Sequence, residues 1–258
     1  MSRVAAIAAQ TFRESVRDRV LYNLIAFALL MIGAAILFGS ISVGIREIFL
    51  VNLGLSSISV FGLLIAIFIG ISLVWKEIER RTIYNILSKP VSRAQFIVGK
   101  YCGLLLTLVV NTAIMTAGFY AALFYEKGTL GPGDLAPLEA VYFILLELAI
   151  VVGLALLFST LSTPILSAVF TLSLFIIGNF LGDLRGFGEQ TQSAVAGKLT
   201  HILYYVLPNF NDFNVIGRAA HGETAPGYLV LSNSLYALLY IVILVSAAIL
   251  IFEEREFR

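Results

Sequence analysis

The sequence predicts an all-α polytopic membrane protein: six transmembrane helices, an N-terminal amphipathic helix, and a charged helix–turn–helix between spans two and three. Three observations carry this. Apolar residues make up 59% of the 258 residues, charged residues 13%, and the mean hydropathy is +0.96, whereas soluble domains run about 45–50% apolar and about 25% charged. Six runs reach the ~20 residues needed to cross ~30 Å of hydrocarbon. No Lys or Arg falls inside any of them. Disorder needs low hydrophobicity and is excluded. With 21 Gly, 6 Pro and one Cys, collagen and disulfide scaffolds are excluded too. The formal net charge of +1 leaves no footprint for nucleic acid.

Residues 1–19 form the first element. On a helical wheel Val4, Ala5, Ala8, Ala9, Phe12 and Val16 fall on one side, and Arg3, Gln10, Arg13, Glu14 and Arg17 on the other. That is the pattern of a helix lying in the headgroup layer. The same residues mix acids with bases, and the run after them is longer than a signal-peptide core, so no cleaved signal is expected.

The six spans are Val20–Gly39, Leu55–Trp75, Tyr101–Tyr125, Leu138–Thr160, Pro164–Gly182 and Tyr228–Phe252. Barrel strands would alternate with period two; these runs are continuous and therefore helical. Residues 41–55 carry Arg46, Glu47 and Asn52 and read as a connector or short surface helix. The 258 residues read as a single transmembrane domain. Basic residues set its orientation. One side holds Arg3, Arg13, Arg17 and Arg19, then Lys76, Arg80, Arg81, Lys89, Arg93 and Lys100, then Arg255 and Arg258; the other holds Arg46, Lys127, Arg185, Lys198 and Arg218. The richer side is cytoplasmic, which predicts a multi-pass protein of the cell (inner) membrane with both termini in the cytoplasm.

Residues 76–100 form the one long charged cytoplasmic segment. Trp75 suits the interface where span two exits. A helix from Lys76 to Leu87 should stop before Lys89, because the residue preceding Pro90 is pushed out of the helical region. Ser92, with Gln95 three residues on, fits a capping box that starts the next helix. Ile83, Tyr84, Ile86 and Leu87 beside the charges suggest a contact surface.

Residues 183–227 form the long outer segment. Within it Leu199, Ile202, Leu203, Val206 and Leu207 have amphipathic helical spacing, and Pro208 should end that helix. Cys102 reads as a small buried side chain. His201 and His221 lack ligand-like spacing, so no metal site is expected. Ionisable groups at membrane depth are costly and functional. Glu147, with Asn111 and Asn179 as polar companions, is therefore the candidate for a translocation path; the plainer reading is hydrogen-bonding between helices.

The stretch from Glu77 to Arg93, EIERRTIYNILSKPVSR, resembles the cytoplasmic loop of ABC-2 type transporter permeases. In that family an E-x-E-R-x-T run leads through a hydrophobic turn to Pro-Val-Ser-Arg and a later Gly-Lys. Glu77, Glu79, Arg80, Thr82, Leu87, Pro90, Val91, Ser92, Arg93, Gly99 and Lys100 sit where the pattern asks, while Arg81 stands where many members carry Gly. The resemblance implies a permease subunit of an ATP-binding cassette transporter, most readily an exporter. It would work as a pair, with a second permease copy in a homodimer or related heterodimer, docked on two ATPase subunits. It implies ATPase coupling through Glu77, Glu79, Arg80, Thr82, Leu87, Pro90 and Arg93, and an elbow role for the first helix. ATP-Mg would bind the partner, with no cofactor on this chain. Neither Gly99-Lys100 nor Gly197-Lys198 continues into a P-loop. The competing reading is a self-contained channel or secondary transporter, which would favour broken spans and several midplane polar groups. An intramembrane enzyme lacks its signatures: H-E-x-x-H and G-x-S-x-G are absent.

Overall fold

A computed structural model describes residues 3–41, 46–79, 92–129, 131–190 and 194–254, and among these all regular structure is helical. In chain order the helices are α1 (Arg3–Val16), α2 (Arg19–Ile41), α3 (Arg46–Glu79), α4 (Arg93–Lys127), α5 (Ala136–Leu161), α6 (Pro164–Asn179), α7 (Leu181–Gln190), α8 (Ala194–Val206), α9 (Ile216–Ala220) and α10 (Gly227–Glu254). Short 3-10 turns occupy Pro132–Leu135 and Asn211–Phe213.

Helices α2, α3, α4, α5 and α10 are long and apolar enough to cross a membrane. Helix α5 is central: 72% of its span is buried, against 28% for α2 and 22% for α10. It packs against α3, α4, α6 and α10. Lipid offers no hydrophobic drive between helices, so close fit decides which faces meet. The exposed apolar side chains of α2, α6 and α10, such as Phe27, Ile165 and Leu239, suit hydrocarbon.

Two expected boundaries move. Residues 46–55 are not a separate connector; they are the first turns of α3. Their polar groups find partners in the helical state, so the helix has no reason to stop. Arg46 lies 3.6 Å from Glu126, Glu47 pairs with Lys127, and Asn52 Nδ2 donates to Ile48 O at 3.0 Å. At its far end α3 passes Trp75 without a break and runs to Glu79. At 1.5 Å per residue, α3 and α4 are about 51 and 52 Å long, well beyond the hydrocarbon layer.

The fifth predicted span ends at Asn179 rather than Gly182 and has 16 residues. That is about 24 Å, short of the ~30 Å needed. A returning segment sits over its end. Phe210 N–H donates to Gly178 O at 3.1 Å, and the Phe210 ring lies 5.1 Å from that of Phe175. Asn209 N–H donates to Tyr236 Oη at 2.8 Å, and Asn233 Nδ2 to Asp212 O at 2.8 Å. Gly178 is required for this approach: a methyl there would lie 2.5 Å from both Pro208 O and Phe210 Cδ2.

Helix α1 packs lengthwise on the start of α4. Its inward face is rotated from the sequence expectation: Thr11 and Ser15 are buried while Ala5 is exposed. Small residues decide this. Gly99 faces Ile7 and Val4 O, and Gly103 faces Thr11 and Ala8 O, at distances that exclude a Cβ. Cys102, expected to be buried, is exposed instead, because the neighbouring Tyr101 and Gly103 take the inward positions. Helix α8 stops at Val206, ahead of Pro208 as expected. Its Ile202, Tyr205 and Val206 are exposed, and the side chain of Leu199 lies outside the described residues.

Candidate functional site

One end of the bundle gathers most of the motif's neighbourhood. Ser92 caps α4 as its spacing requires: Gln95 N–H donates to Ser92 Oγ at 3.2 Å, and Ser92 N–H to Gln95 Oε1 at 3.3 Å. This box fixes where α4 begins and so where the next side chain points. Arg93 Nη1 donates to Phe252 O at 2.9 Å and Glu253 O at 2.8 Å. A cation on the open carbonyls at the end of α10 is favourable both as a hydrogen bond and against the helix dipole. Beside it Phe96 stacks on Phe252, ring centroids 5.7 Å apart at 17°. Lys100 is 2% exposed and its Nζ lies 5.7 Å from the Phe96 ring centroid, within cation–π reach. Helix α1 covers the adjoining face of the same turns through Gly99 and Gly103.

Seven residues were singled out as coupling candidates. Arg93 is placed with its contacts. The backbone of Glu77 and Glu79 lies in the last turns of α3. Their side chains, and Arg80, Thr82, Leu87 and Pro90 entirely, lie outside the described residues.

The three membrane-depth candidates do not form one group. Tyr101 Oη donates to Ala149 O at 3.1 Å and Tyr120 Oη to Asp134 O at 2.7 Å. These contacts set α4 and α5 antiparallel, with Asn111 and Glu147 about one to two turns apart in depth. Asn111 is 2% exposed and its Nδ2 has no hydrogen-bond partner. Glu147 is 7% exposed and, among the described residues, has neither hydrogen-bond nor ionic partner. Two hydroxyls on α4, Thr112 Oγ1 and Thr116 Oγ1, are also buried and unpartnered. Asn179 stands apart at the end of α6, where its Nδ2 donates back to Phe175 O at 3.0 Å.

The opposite end is held by a charge cluster that sequence reasoning missed. Lys127 Nζ donates to Glu47 Oε1 at 2.5 Å and to Asp134 Oδ1 at 2.6 Å, and Asp134 Oδ2 takes the Gly131 N–H at 2.6 Å. The cluster joins the start of α3, the end of α4 and the turn into α5. With α9 and His221 it walls a cavity of about 350 Å³. Lys127 and Asp134 flank a Gly-Pro-Gly turn, a readable local signal; Glu47 is 80 residues away and gave none. His221 spends its Nδ1 on Gly217 O at 2.7 Å. Among the described residues no cluster of His, Cys, Asp and Glu could hold a metal ion.

The model of a family described as ABC-2 family transporter protein matches residues 5–257. No individually curated protein matches the chain.

Proposed function

This chain is a multi-pass membrane permease of the ABC-2 transporter family, and on that footing we propose that it is one half of an ATP-driven exporter. Permeases of this family lack an ATPase domain and work with separate ATPase subunits. In our reading two such chains pair across the membrane, both termini are cytoplasmic, and ATP-Mg acts on the partner. The part of residues 76–100 that links α3 to α4 seats in a cleft of the ATPase. Glu77, Glu79, Arg80, Thr82, Leu87 and Pro90 couple the chain to the ATPase, and Arg93 ties the start of α4 to α10.

The observation that carries this reading is the placement of the motif's two flanks. Glu79 ends one helix and Ser92 begins the next, both helices longer than a bilayer is thick. Arg93 binds the last carbonyls of α10 at that same end. A load applied between residues 79 and 92 would reach three long helices directly. Glu147 and Asn111 are the candidates for groups that line the moving interior.

The test is co-purification of the full chain with its ATPase, followed by paired assays of hydrolysis and transport. Charge reversal at Glu79 or Arg80, or Leu87→Asp, should leave ATP hydrolysis running while transport falls about tenfold or more, the size of a typical coupling free energy. Transport by vesicles that contain this chain and no ATPase would overturn the proposal in favour of a self-contained transporter.

A further inference from the structure

Helix α1 has two long faces, and the fold uses one of them. Val4, Ile7, Ala8, Thr11 and Ser15 turn toward the bundle. The other face carries a shallow open depression lined by Ala6, Ala9, Gln10, Arg13, Glu14 and Arg17, all of them on α1 itself. Its floor is two alanines and its far end carries two guanidinium groups four residues apart, which stacks them on one side of a helix. Arg13 and Arg17 are both exposed, and among the described residues neither makes an ion pair, not even with Glu14 between them.

The depression lies at the level where the chain enters the bilayer. Thr11 meets Gly103 of α4, and Leu29 of α2 meets Gly118. By the 1.5 Å rise these contacts put Arg13 and Arg17 within roughly two turns of Tyr101, where the apolar run of α4 begins. Arg19 opens α2 immediately afterwards, followed by exposed Val20 and Tyr22. A cationic depression with an apolar continuation at that depth matches a molecule with a phosphate head and a hydrocarbon body.

We propose that the exposed face of α1 is a binding site for an anionic phospholipid, its phosphodiester held between Arg13 and Arg17 with Gln10 as a further donor. Guanidinium is suited to this because its fork of N–H groups matches two phosphate oxygens at once. The alanines lie on the side of the arginines away from the bilayer and leave room for the headgroup alcohol, which a larger side chain would exclude, while the acyl chains run along exposed Val20 and Tyr22. The site needs only that α1 lie where α2 enters the membrane; it does not need an ATPase partner.

The experiment uses the full chain in neutral detergent, titrated with fluorescent phosphatidylglycerol and, separately, phosphatidylcholine. The wild type should prefer the anionic lipid. The double variant Arg13→Gln/Arg17→Gln should lose about 25-fold in phosphatidylglycerol affinity, about fivefold for each basic side chain near a lipid surface, with phosphatidylcholine unchanged. Arg218→Gln, which removes one positive charge on α9, should leave the preference intact, and Ala9→Trp should block binding with every arginine in place. Glycerol 3-phosphate should compete poorly, because it lacks the hydrocarbon body. An undiminished preference in the double variant overturns the proposal, as does equal loss in Arg218→Gln. Efficient competition by glycerol 3-phosphate replaces the lipid with a soluble phosphate. A double variant that keeps its lipid preference and loses its ATPase assigns the face to the protein partner instead.

Discussion

Replacing Gly103 by Ala tests whether α1 is docked on α4 or merely lies beside it. A methyl on Gly103 would sit 2.6 Å from Thr11 Cβ, 2.7 Å from Ala8 O and 2.9 Å from Thr11 Cγ2. Carbon atoms at rest stay about 3.5–4.0 Å apart, so the overlap is about 1 Å. The atoms in the way are a Cβ and a backbone oxygen, and neither can swing aside as a flexible side-chain tip does. Helix α1 must shift bodily or detach, at an expected cost of about 1–3 kcal/mol for overpacking. Gly33→Ala is the matched control: nothing lies within 4 Å of a methyl there, and the better helix former should gain up to about 1 kcal/mol. Thermal unfolding of the detergent-purified chain reads the energy. Native-state trypsin cleavage at Arg13 and Arg17 reads the docking, because a detached helix is cut faster. Thr11→Gly in the Gly103→Ala background removes both Thr11 contacts but not the one to Ala8 O, so it should restore docking only in part. Equal melting and equal cleavage in Gly103→Ala and Gly33→Ala would refute the close packing.

Three further outcomes are expected. Lys127→Met leaves the buried Asp134 carboxylate with only the Gly131 N–H and should cost about 1–3 kcal/mol, the penalty for an unsatisfied buried acceptor. Adding Asp134→Asn should recover about 1 kcal/mol of it, and strictly additive losses in a thermal-melt cycle would deny the pair. Gly178→Ala should destabilise by a similar overpacking cost and release the returning segment, seen as faster deuterium exchange at the Phe210 amide; unchanged exchange there counts against it. Glu147→Gln keeps volume and loses no hydrogen bond or ion pair, so folding should change by less than about 1.5 kcal/mol and transport should hold. A transport-dead Glu147→Gln with wild-type melting would place the Glu147 carboxylate in the path.

What the sequence made legible follows from which forces are local. Apolar run length reports on bilayer thickness, so all six apolar helices are legible to within a few residues at most of their ends, five of them long enough to cross and α6 shorter. The capping box at Ser92 and Gln95 spans three residues and was read outright. The start of α3 was misplaced because Arg46 and Glu47 look like a reason to stop until Glu126 and Lys127 are seen to satisfy them from 80 residues away. The rotated face of α1 was missed for a related reason. A helical wheel ranks side chains by polarity, whereas Gly99 and Gly103 select the smallest face regardless of polarity, burying Thr11 and Ser15. Cys102 was misjudged because small size alone does not say which neighbour the inward position serves.

The same distinction separates the two ends of the bundle. At the end holding Lys127, charges clamp α3, α4 and the turn into α5 through side chains that can be exchanged one at a time. At the end holding the motif, the ties are backbone carbonyls and glycine contacts: Arg93 on the last turn of α10, α1 against Gly99 and Gly103. Such contacts do not stretch without breaking, so α1, α4 and α10 should move there as one body. Because α3 and α4 exceed ~30 Å of hydrocarbon by about 20 Å each, a displacement at residues 79–92 has rigid helix to act on before it meets lipid. The coupling reading therefore requires stiffness at this end and yielding contacts at the other. Arg93→Ala should accordingly impair transport more than it impairs folding, whereas Lys127→Met should do the reverse.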